Sequence, residues 1–321
     1  MKHTRLLMTI GASLLAGAVS ASAPPAEPKS PLQPVLTGTV HQALFAIDFG
    51  GALGVAVGAG GEVQESSDSG ATWKMVQAPT QLSLLGVGVA DGKAVAVGQS
   101  GLVLTRGADG KWTEGQSGSK QRLLAVEINA AGRALAVGAF GTVLLSDDAG
   151  KTWRSVAPGW AEFAADGMEP HMYAAHVAAD GTLTIAGEFG LILRSGDAGA
   201  SWTALHKGEA SLFALQLRED GVGYAVGQSG AILRSADGGA TWEERPSGTG
   251  ALLLGVHAAA DGRVLVTGMR DMLVSRDGGQ SFSQVQGGGV NSLWFVGVAQ
   301  ASASAPVLAV GQAGQIVRLV P

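Results

Sequence analysis

The sequence of 321 residues contains no cysteine, only 11 prolines and only 15% charged residues. The lack of cysteine excludes a disulfide framework, a thiolate nucleophile and any metal site built on thiolate ligands. Few prolines, together with glycines that follow no three-residue period, exclude a collagen-like chain. Beyond the N-terminus no apolar run approaches the ~18–20 residues of a membrane-spanning helix, so a polytopic membrane protein is excluded. The net charge of −5 argues against a dedicated nucleic-acid-binding protein.

The first 21 residues have the pattern of a secretory signal peptide. Lys2 and Arg5 precede an apolar stretch at 6–19, and small residues then provide two cleavage sites, after Ala21 and after Ala23. We favour cleavage after Ala21, which takes the net charge from −5 to −7; an uncleaved N-terminal anchor is the alternative. We therefore expect an exported protein, periplasmic or extracellular, with no transmembrane segment in its mature chain.

The rest of the chain divides into a proline-rich tether at 22–34 and one folded domain at 35–321, which is built of repeats. An apolar strand that ends in glycine recurs at spacings of 40, 40, 49, 40, 41 and 43 residues, at Gly58, Gly98, Gly138, Gly187, Gly227, Gly268 and Gly311. The repeats span 35–78, 79–117, 118–157, 172–206, 207–247, 248–287 and 288–321, with an inserted loop at 158–171. Each repeat contains four strand-length runs separated by glycine turns. The sequence therefore predicts an all-β fold, a single seven-bladed β-propeller of four-stranded blades.

The seventh repeat stops after its third strand, at 316–318. The segment Pro34–Val40 precedes the inner strand of the first repeat and has no other place in the repeat pattern. We expect this segment to supply the missing outer strand and to close the ring, which removes an exposed sheet edge.

Five turns before a fourth strand share the pattern S-x-D-x-G-x-[ST]-[WF], which is the Asp-box or bacterial neuraminidase repeat. The aspartate can accept hydrogen bonds from backbone N–H groups across the turn, and the glycine tolerates positive φ. The aromatic ring can then return into the core between blades. We interpret these residues as structural: Asp68, Trp73, Asp148, Trp153, Asp197, Trp202, Asp237, Trp242, Asp277 and Phe282.

The fuller repeat, G-x-x-G-x-[IV]-x-[RL]-S-x-D-x-G-x-T-W, covers about residues 40–320 and resembles the photosystem II assembly and stability factor family of propellers. The resemblance implies a scaffold that binds a protein partner and is not an enzyme. Arginines on the third strands of that family form a basic patch toward the partner, and the matching positions here are Arg194, Arg234 and Arg318. With an export signal, the resemblance indicates an envelope membrane complex or transporter as partner. We expect a monomer without a cofactor.

The connections between blades lie on the same face as the turns between second and third strands, and the Asp-box turns lie on the opposite face. Two of the second-to-third turns carry aromatic residues and belong to the neighbouring blades that the inserted loop connects. Insertions on one face of a repeat array commonly mark the binding face. We expect an apolar anchor with an acidic rim, formed by Phe140, Trp160, Phe163, Phe189, Glu162, Glu169 and Glu188. The alternative is that the loop packs its aromatic residues against its own blade. Arg270, on the same face, is either a partner contact or a solvated charge.

The inner strands line a central channel. If Phe45, Ile47 and Phe49 face the core, the residues between them face the channel axis. The upper layer is then small, except for Phe295, and the next layer contains the ionisable residues Asp48, Glu127, His176 and His257, with Gly297 in the seventh blade. Such groups can bind a metal ion or run acid–base chemistry. Because they show no tight ligand spacing, we expect a hydrated polar channel and no metal site.

A secreted carbohydrate-active protein, either a glycoside hydrolase or a lectin, is the alternative function, because Asp-box propellers include sialidases. Sialidase chemistry as that family performs it uses a tyrosine nucleophile paired with a glutamate. Tyr173 and Tyr224 are the two tyrosines of the sequence. Both fall on predicted strands, so we expect no enzymatic activity.

Overall fold

The computed structural model describes residues 30–320. The expected signal peptide and residues 22–29 of the expected tether lie outside this range. The described residues form seven four-stranded antiparallel sheets, and the innermost strands of neighbouring sheets contact one another all the way round the ring. The predicted seven-bladed β-propeller of four-stranded blades is confirmed.

The blades follow chain order, and their strands run from the channel outward. In the first four blades the strands are Leu44–Gly50, Leu53–Gly58, Val63–Ser66 and Lys74–Val76; Leu84–Ala90, Lys93–Gly98, Leu102–Arg106 and Trp112–Gln116; Leu123–Ile128, Ala134–Gly138, Val143–Ser146 and Arg154–Ser155; Met172–Val177, Leu183–Gly187, Ile192–Ser195 and Thr203–His206. In the last three they are Leu212–Leu217, Gly223–Gly227, Ile232–Ser235 and Glu243–Glu244; Leu253–Ala258, Val264–Gly268, Met272–Ser275 and Ser283–Gln284; Phe295–Gln300, Val307–Gly311, Ile316–Leu319 and Leu32–Leu36. Short 3-10 turns lie at Ala59–Gly61, Gln99–Gly101, Trp160–Glu162, Ala165–Gly167, Glu188–Gly190 and Gln228–Gly230.

The N-terminal strand closes the ring. Leu32–Leu36 pairs antiparallel with Ile316–Leu319 as the outermost strand of the seventh blade. Leu32 is buried in the apolar core between the sixth and seventh blades, and Arg318 donates two hydrogen bonds to Gln33 Oε1, at 3.0 and 2.6 Å. The predicted closure is confirmed, although the strand begins two residues before the predicted Pro34 and includes the end of the expected tether.

Each of the seven interfaces between neighbouring blades has its own apolar cluster. Between the first two blades, for example, Val57 and Val63 pack with Leu84 and Leu104, all with no exposed surface. A single blade leaves both of its faces apolar, so only the stacked ring buries them.

The five turns with the S-x-D-x-G-x-[ST]-[WF] pattern, called aspartate turns below, share one set of hydrogen bonds. In the fifth blade Asp237 Oδ2 accepts from the Thr241 hydroxyl at 2.6 Å, and Oδ1 accepts from Ser235 Oγ at 2.8 Å and from the Thr241 N–H at 2.9 Å. Ser235 Oγ in turn accepts the Gly239 N–H at 2.8 Å. The bonds from Thr241 and Ser235 lower the pKa of Asp237 to about 2.

The aromatic residue of each aspartate turn packs toward the core between blades. Trp73, Trp153 and Trp242 donate their indole N–H to the glycine carbonyl of their own turn, at 2.9–3.1 Å. Trp202 instead donates to the Val156 carbonyl of the preceding blade, at 2.9 Å. The turn aromatics thus stabilise both the turn and the contact with a neighbouring blade.

Backbone hydrogen bonds define two distinct faces. Aspartate turns bond to the turns between first and second strands, as Ser69 N–H does to the Ala52 carbonyl. On the other face, second-to-third turns bond to the connection that enters the inner strand, as Ala139 N–H does to the Arg122 carbonyl. Within residues 30–320, no helix has the length and apolar character needed to cross a membrane.

Candidate partner-binding face

The inserted loop at 158–171 is fixed to the third and fourth blades rather than extended into solvent. Trp160 is 7% exposed and lies in the core cluster between these blades, where its indole N–H donates to the Gly141 carbonyl at 3.1 Å. Gly141 N–H donates to the Pro170 carbonyl at 2.9 Å. Gly141 has a φ of +63°, and a Cβ atom there would collide with the Trp160 ring, so this contact requires glycine.

The expected aromatic anchor therefore divides into two pairs. Trp160 belongs to the core, and Phe163 is half-buried against the same cluster, with the Lys207 ammonium 5.7 Å from its ring centroid. Phe140 and Phe189 are 58% and 38% exposed. Trp160 therefore follows the alternative, in which the loop packs its aromatic residues inward, whereas Phe140 and Phe189 stay available for an anchor.

His171 joins the two exposed phenylalanines into one surface, the aromatic rim (Phe140, His171 and Phe189). Its ring lies 4.9 Å from that of Phe140. Its backbone N–H donates to Glu188 Oε2 at 2.8 Å, and its carbonyl accepts the Glu188 N–H at 3.0 Å. Since Glu188 directly precedes Phe189, the turns of both blades are held against the end of the inserted loop.

Both phenylalanines of the aromatic rim have left-handed backbone conformation, with φ of +51° at Phe140 and +58° at Phe189. The other five blades have the same conformation at this turn position, with φ between +56° and +64°, at Gly60, Ser100, Ser229, Arg270 and Ala313. This conformation is unfavourable for residues with a Cβ atom by roughly 1–2 kcal/mol. The conformation therefore belongs to this turn in every blade, and the exposed aromatic side chain is what distinguishes the third and fourth blades.

The acidic residues expected around the rim have different environments. Glu162 and Glu169 are exposed. Glu188 is half-buried and, besides the His171 N–H, faces the Tyr173 hydroxyl at 3.4 Å. Burial and the Glu188 carboxylate raise the pKa of Tyr173 to about 12, which disfavours the phenolate that a nucleophile needs. Arg270 is exposed and also left-handed, with φ of +57°.

The three strand-three arginines do not form one patch. Arg194 and Arg234 are half-buried and donate to the Gly238 and Gly278 carbonyls of the next blade's aspartate turn. Arg318 is exposed and contacts Gln33 in the closing strand. Each therefore has a contact that connects blades or closes the ring.

A ring of seven large side chains surrounds the channel mouth on the same face as the aromatic rim. In every blade the register shifts by one residue just inside the start of the inner strand, so that one residue is extra. The extra residues are half-buried and line a cavity of about 230 Å³: Phe45, Leu85, Leu124, Tyr173, Phe213, Leu254 and Val296. We call them the mouth ring.

The mouth ring corrects two expectations about the channel. Phe45 lines the mouth rather than the core, because the bulge interrupts the alternation of sides. In the seventh blade Gly297, not Phe295, occupies the upper layer, since Gly297 pairs with Val310 as Ala46 pairs with Val57. The small upper-layer residues permit close approach of inner strands: a Cβ atom at Gly86 would lie 2.8 Å from the Ala125 Cα atom of the next blade.

The sequence contained a signal for the mouth ring that alternation alone does not use. In every blade the first residue of the inner strand is large and apolar, and it is followed directly by a second large apolar residue, as in Leu212–Phe213. Two such neighbours at the same point of seven repeats indicate a bulge.

The ionisable residues of the next layer do meet in the channel, around a cavity of about 400 Å³. His176 Nδ1 lies 2.9 Å from Glu127 Oε1. Burial would lower the pKa of His176, but the Glu127 carboxylate outweighs burial and raises it. His257 Nε2 lies 3.0 Å from Gln300 Oε1, and burial lowers the pKa of His257.

Asp48 differs from the other channel residues because, within residues 30–320, no lysine, arginine or histidine forms an ion pair with it. Its Oδ2 accepts the Val89 N–H at 2.7 Å. Burial, with a smaller contribution from the Glu127 charge, raises the pKa of Asp48 to about 7. No group of three or more histidine, cysteine or acidic residues in the described part of the chain is placed to hold a metal ion.

Comparison with known proteins finds similarity at the level of structure. No protein-family model and no curated protein sequence matches the chain. The structure of YCF48 bound to D1 peptide matches with a TM-score of 0.68 and 18% identity, over 90% of this chain and 94% of that one. YCF48 from Cyanidioschyzon merolae matches with a TM-score of 0.68 and 17% identity, over 90% and 98%. The two neighbours are of the assembly-factor kind that the repeats resemble, and at this identity they show a shared fold.

Proposed function

We propose that this protein is an exported, non-enzymatic scaffold that binds a protein partner through the aromatic rim and assists the assembly, stability or operation of an envelope membrane complex. The observation that carries the proposal is the pair of exposed phenylalanines, Phe140 and Phe189, on the second-to-third turns of the two neighbouring blades that the inserted loop connects. Exposed aromatic residues on a rigid support are typical anchors of protein interfaces.

The support of the rim favours a binding role. The inserted loop is held by buried Trp160 and by the Glu188 carboxylate, so its end is rigid beside the two phenylalanines. A rigid surface loses little conformational entropy on binding. Glu162 and Glu169 add negative charge at exposed positions of the same inserted loop, and this favours a partner segment that is apolar with a basic flank.

Two further observations support a protein partner in the envelope. The neighbouring structure of YCF48 holds a D1 peptide, which provides an example of this fold binding a protein segment. The signal-like sequence at residues 1–21 favours export. The partner's identity as an envelope complex rests on these two points together.

The proposal is tested by affinity capture from envelope extracts. We expect the wild-type protein to retain a specific protein that the double variant Phe140→Ala, Phe189→Ala loses, and that Glu162→Lys with Glu169→Lys retains more weakly. The matched control is Met75→Ala, which removes another exposed hydrophobic side chain (63%) from an outer strand away from the rim. Undiminished capture by the double variant contradicts the proposal.

A glycan array with the same proteins tests the carbohydrate-binding alternative. We expect no glycan to bind in a manner that depends on Phe140 and Phe189. Glycan binding that the double variant loses and the Met75→Ala control keeps would replace the proposed partner with a carbohydrate.

A further inference from the structure

We propose that the channel mouth is a second recognition site, which takes a cationic side chain, lysine or arginine, from the protein partner. The inference rests on the proposed function, because it places the partner on the face that carries the aromatic rim. In this contact the apolar and aromatic residues of the mouth ring surround the aliphatic part of the lysine or arginine side chain, and a carboxylate below them binds its charged end.

The rim leads directly to the mouth through a row of aromatic rings. The His171 ring lies 6.3 Å from the Tyr173 ring, and Tyr173 lies 5.0 Å from Phe213 in an edge-to-face arrangement. Tyr173 and Phe213 belong to the mouth ring. A partner seated on the aromatic rim therefore lies beside the channel.

The size and composition of the mouth ring suit a long side chain with a cationic end. Its cavity of about 230 Å³ is smaller than the ~300–1,000 Å³ of ordinary small-molecule pockets, and fits a single side chain. Three of its seven members are aromatic, and Phe45 is further supported by stacking on Trp294 at 6.1 Å. Aromatic faces attract ammonium and guanidinium groups, and aliphatic stems pack on apolar surface.

The floor of the channel provides a carboxyl group without a cationic partner. The Glu127 carboxylate is paired with His176, and His257 is hydrogen-bonded to Gln300 and has a lowered pKa, so it stays neutral near pH 7. Asp48 has its hydrogen bond from Val89 but no cationic partner among the described residues. Asp48 is half-buried in the channel, where an ionised carboxylate without a counter-charge is unfavourable and a cation beside it relieves that cost.

The depth of the site matches the reach of a cationic side chain. Asp48 lies three residues beyond Phe45 on the inner strand, which corresponds to roughly 10 Å along the channel. A lysine or arginine side chain extends roughly 6–7 Å, and a hydrogen bond of about 2.8 Å completes the distance. The small residues below the mouth ring, Ala46, Gly86, Ala125, Ala174, Ala214, Gly255 and Gly297, line the cavity between these two levels.

The test uses small probes on the purified protein, so it needs no partner. We expect n-butylammonium and n-butylguanidinium to shift the amide resonance of Val89 in a saturable way, and n-butanol at the same concentrations to leave it unchanged. The Asp48→Asn variant should bind the cationic probes at least tenfold more weakly than wild type, and the Phe213→Ala variant should bind them several-fold more weakly. The control variant Asp91→Asn removes a carboxylate that is 72% exposed on the opposite face, and its affinity for the probes should equal that of wild type.

A second measurement does not depend on any variant. In the wild-type protein, the carboxyl carbon resonance of Asp48 should titrate at a lower pH when n-butylammonium is present, because a neighbouring cation favours the ionised form. The groups that share this layer are Glu127, His176 and His257, and the other three blades place Gly88, Gln216 and Ala299 there. An unchanged titration overturns the proposal.

Other results also overturn it. Equal binding of n-butanol and n-butylammonium would show that the mouth is an apolar cavity that does not recognise a cation. Undiminished binding of the cationic probes by the Asp48→Asn variant would show that the carboxylate has no role. Absence of a saturable Val89 shift with either cation excludes the site. If the probe experiments fail while the double variant Phe140→Ala, Phe189→Ala no longer captures the partner, only the inference about the channel is wrong. If the probes bind as expected but the double variant captures the partner as well as wild type does, the proposed function is wrong.

Discussion

The Asp48 carboxylate of the first blade accepts a hydrogen bond from the Val89 N–H of the second blade, with an Oδ2–N distance of 2.7 Å. Glu127 and Gln216 accept from the next inner strand in the same way, at 3.3 and 2.6 Å. The inner strands have no neighbouring strand on the channel side, so these side chains satisfy backbone donors that would otherwise stay unpaired. Alternate interfaces of the ring are thus connected through a side chain at the channel.

Asp48 makes stability depend on pH near neutrality. The pKa of its carboxyl is raised from 3.8 to about 7 in the fold. Between about pH 4 and pH 7 the folded state then binds more protons than the unfolded chain, so the free energy of unfolding falls as pH rises and levels off above about pH 7. The Asp48→Asn variant has no carboxyl to ionise at this position and should not show this loss, which amounts to about 2.5 kcal/mol between pH 5 and pH 7.5.

Urea unfolding of wild type and Asp48→Asn at both pH values measures the effect, with Asp91→Asn as a variant of equal charge change. His176 and His257 titrate in the same range, but they are present in all three proteins and cancel in the comparison. Parallel pH profiles for wild type and Asp48→Asn would refute the assignment.

Closure of the ring should depend on Leu32. Its side chain is 5% exposed between the sixth and seventh blades. Leu32→Ala should lower the free energy of unfolding by about 2–4 kcal/mol, through lost burial and the cavity left behind. Val40→Ala, at an 84% exposed position past the closing strand, should change it by less than about 0.5 kcal/mol. Chemical denaturation compares the two, and equal stability would mean that the strand contributes nothing.

The aspartate turns should depend on their buried serine. Ser235 is 2% exposed and its Oγ accepts the Gly239 N–H at 2.8 Å. Ser235→Ala leaves that N–H unpaired in a buried position, with an expected loss of about 1–3 kcal/mol in the free energy of unfolding. Ser302→Ala, at an exposed loop serine, is the control. A loss no larger than that of the control would show that the hydrogen bond has little value.

Substitutions at buried Trp160 and at exposed Phe140 should change the free energy of unfolding for different reasons. Trp160→Ala should cost about 3–5 kcal/mol because it opens a cavity in the core. Phe140→Gly should be more stable than Phe140→Ala by about 1 kcal/mol, because glycine tolerates the left-handed conformation. Thermal and urea unfolding measure both, and a Gly variant less stable than the Ala variant would contradict the strain at Phe140.

The sequence predicted the architecture because the features that define a blade recur in each repeat. Glycines at near-constant spacing and five aspartate turns fix the number of blades, and an incomplete last repeat indicates closure by the N-terminal segment. The side of the ring on which each turn lies follows from the alternation of antiparallel strands. These features depend on local backbone geometry, which sequence encodes directly.

The details of the site depend on packing, which the repeat pattern does not contain. Trp160 and Phe140 are both aromatic residues in loops, and only the space between the third and fourth blades decides that Trp160 is buried. The bulge at Phe45 changes which side chains line the mouth, and a longer turn between Gln300 and Val307 conceals the register of the seventh blade. The missing counter-charge of Asp48 is visible only when residues from seven blades are brought together.

Site-specific photo-crosslinking in the producing cells tests the docking of a partner on the aromatic rim most directly. A benzophenone side chain in place of Phe189 should form a covalent adduct with one envelope protein, identified by mass spectrometry. The same side chain in place of Lys151, which is exposed on the opposite face, should form none with that protein. No adduct from position 189, or equal yields from both positions, would contradict the account.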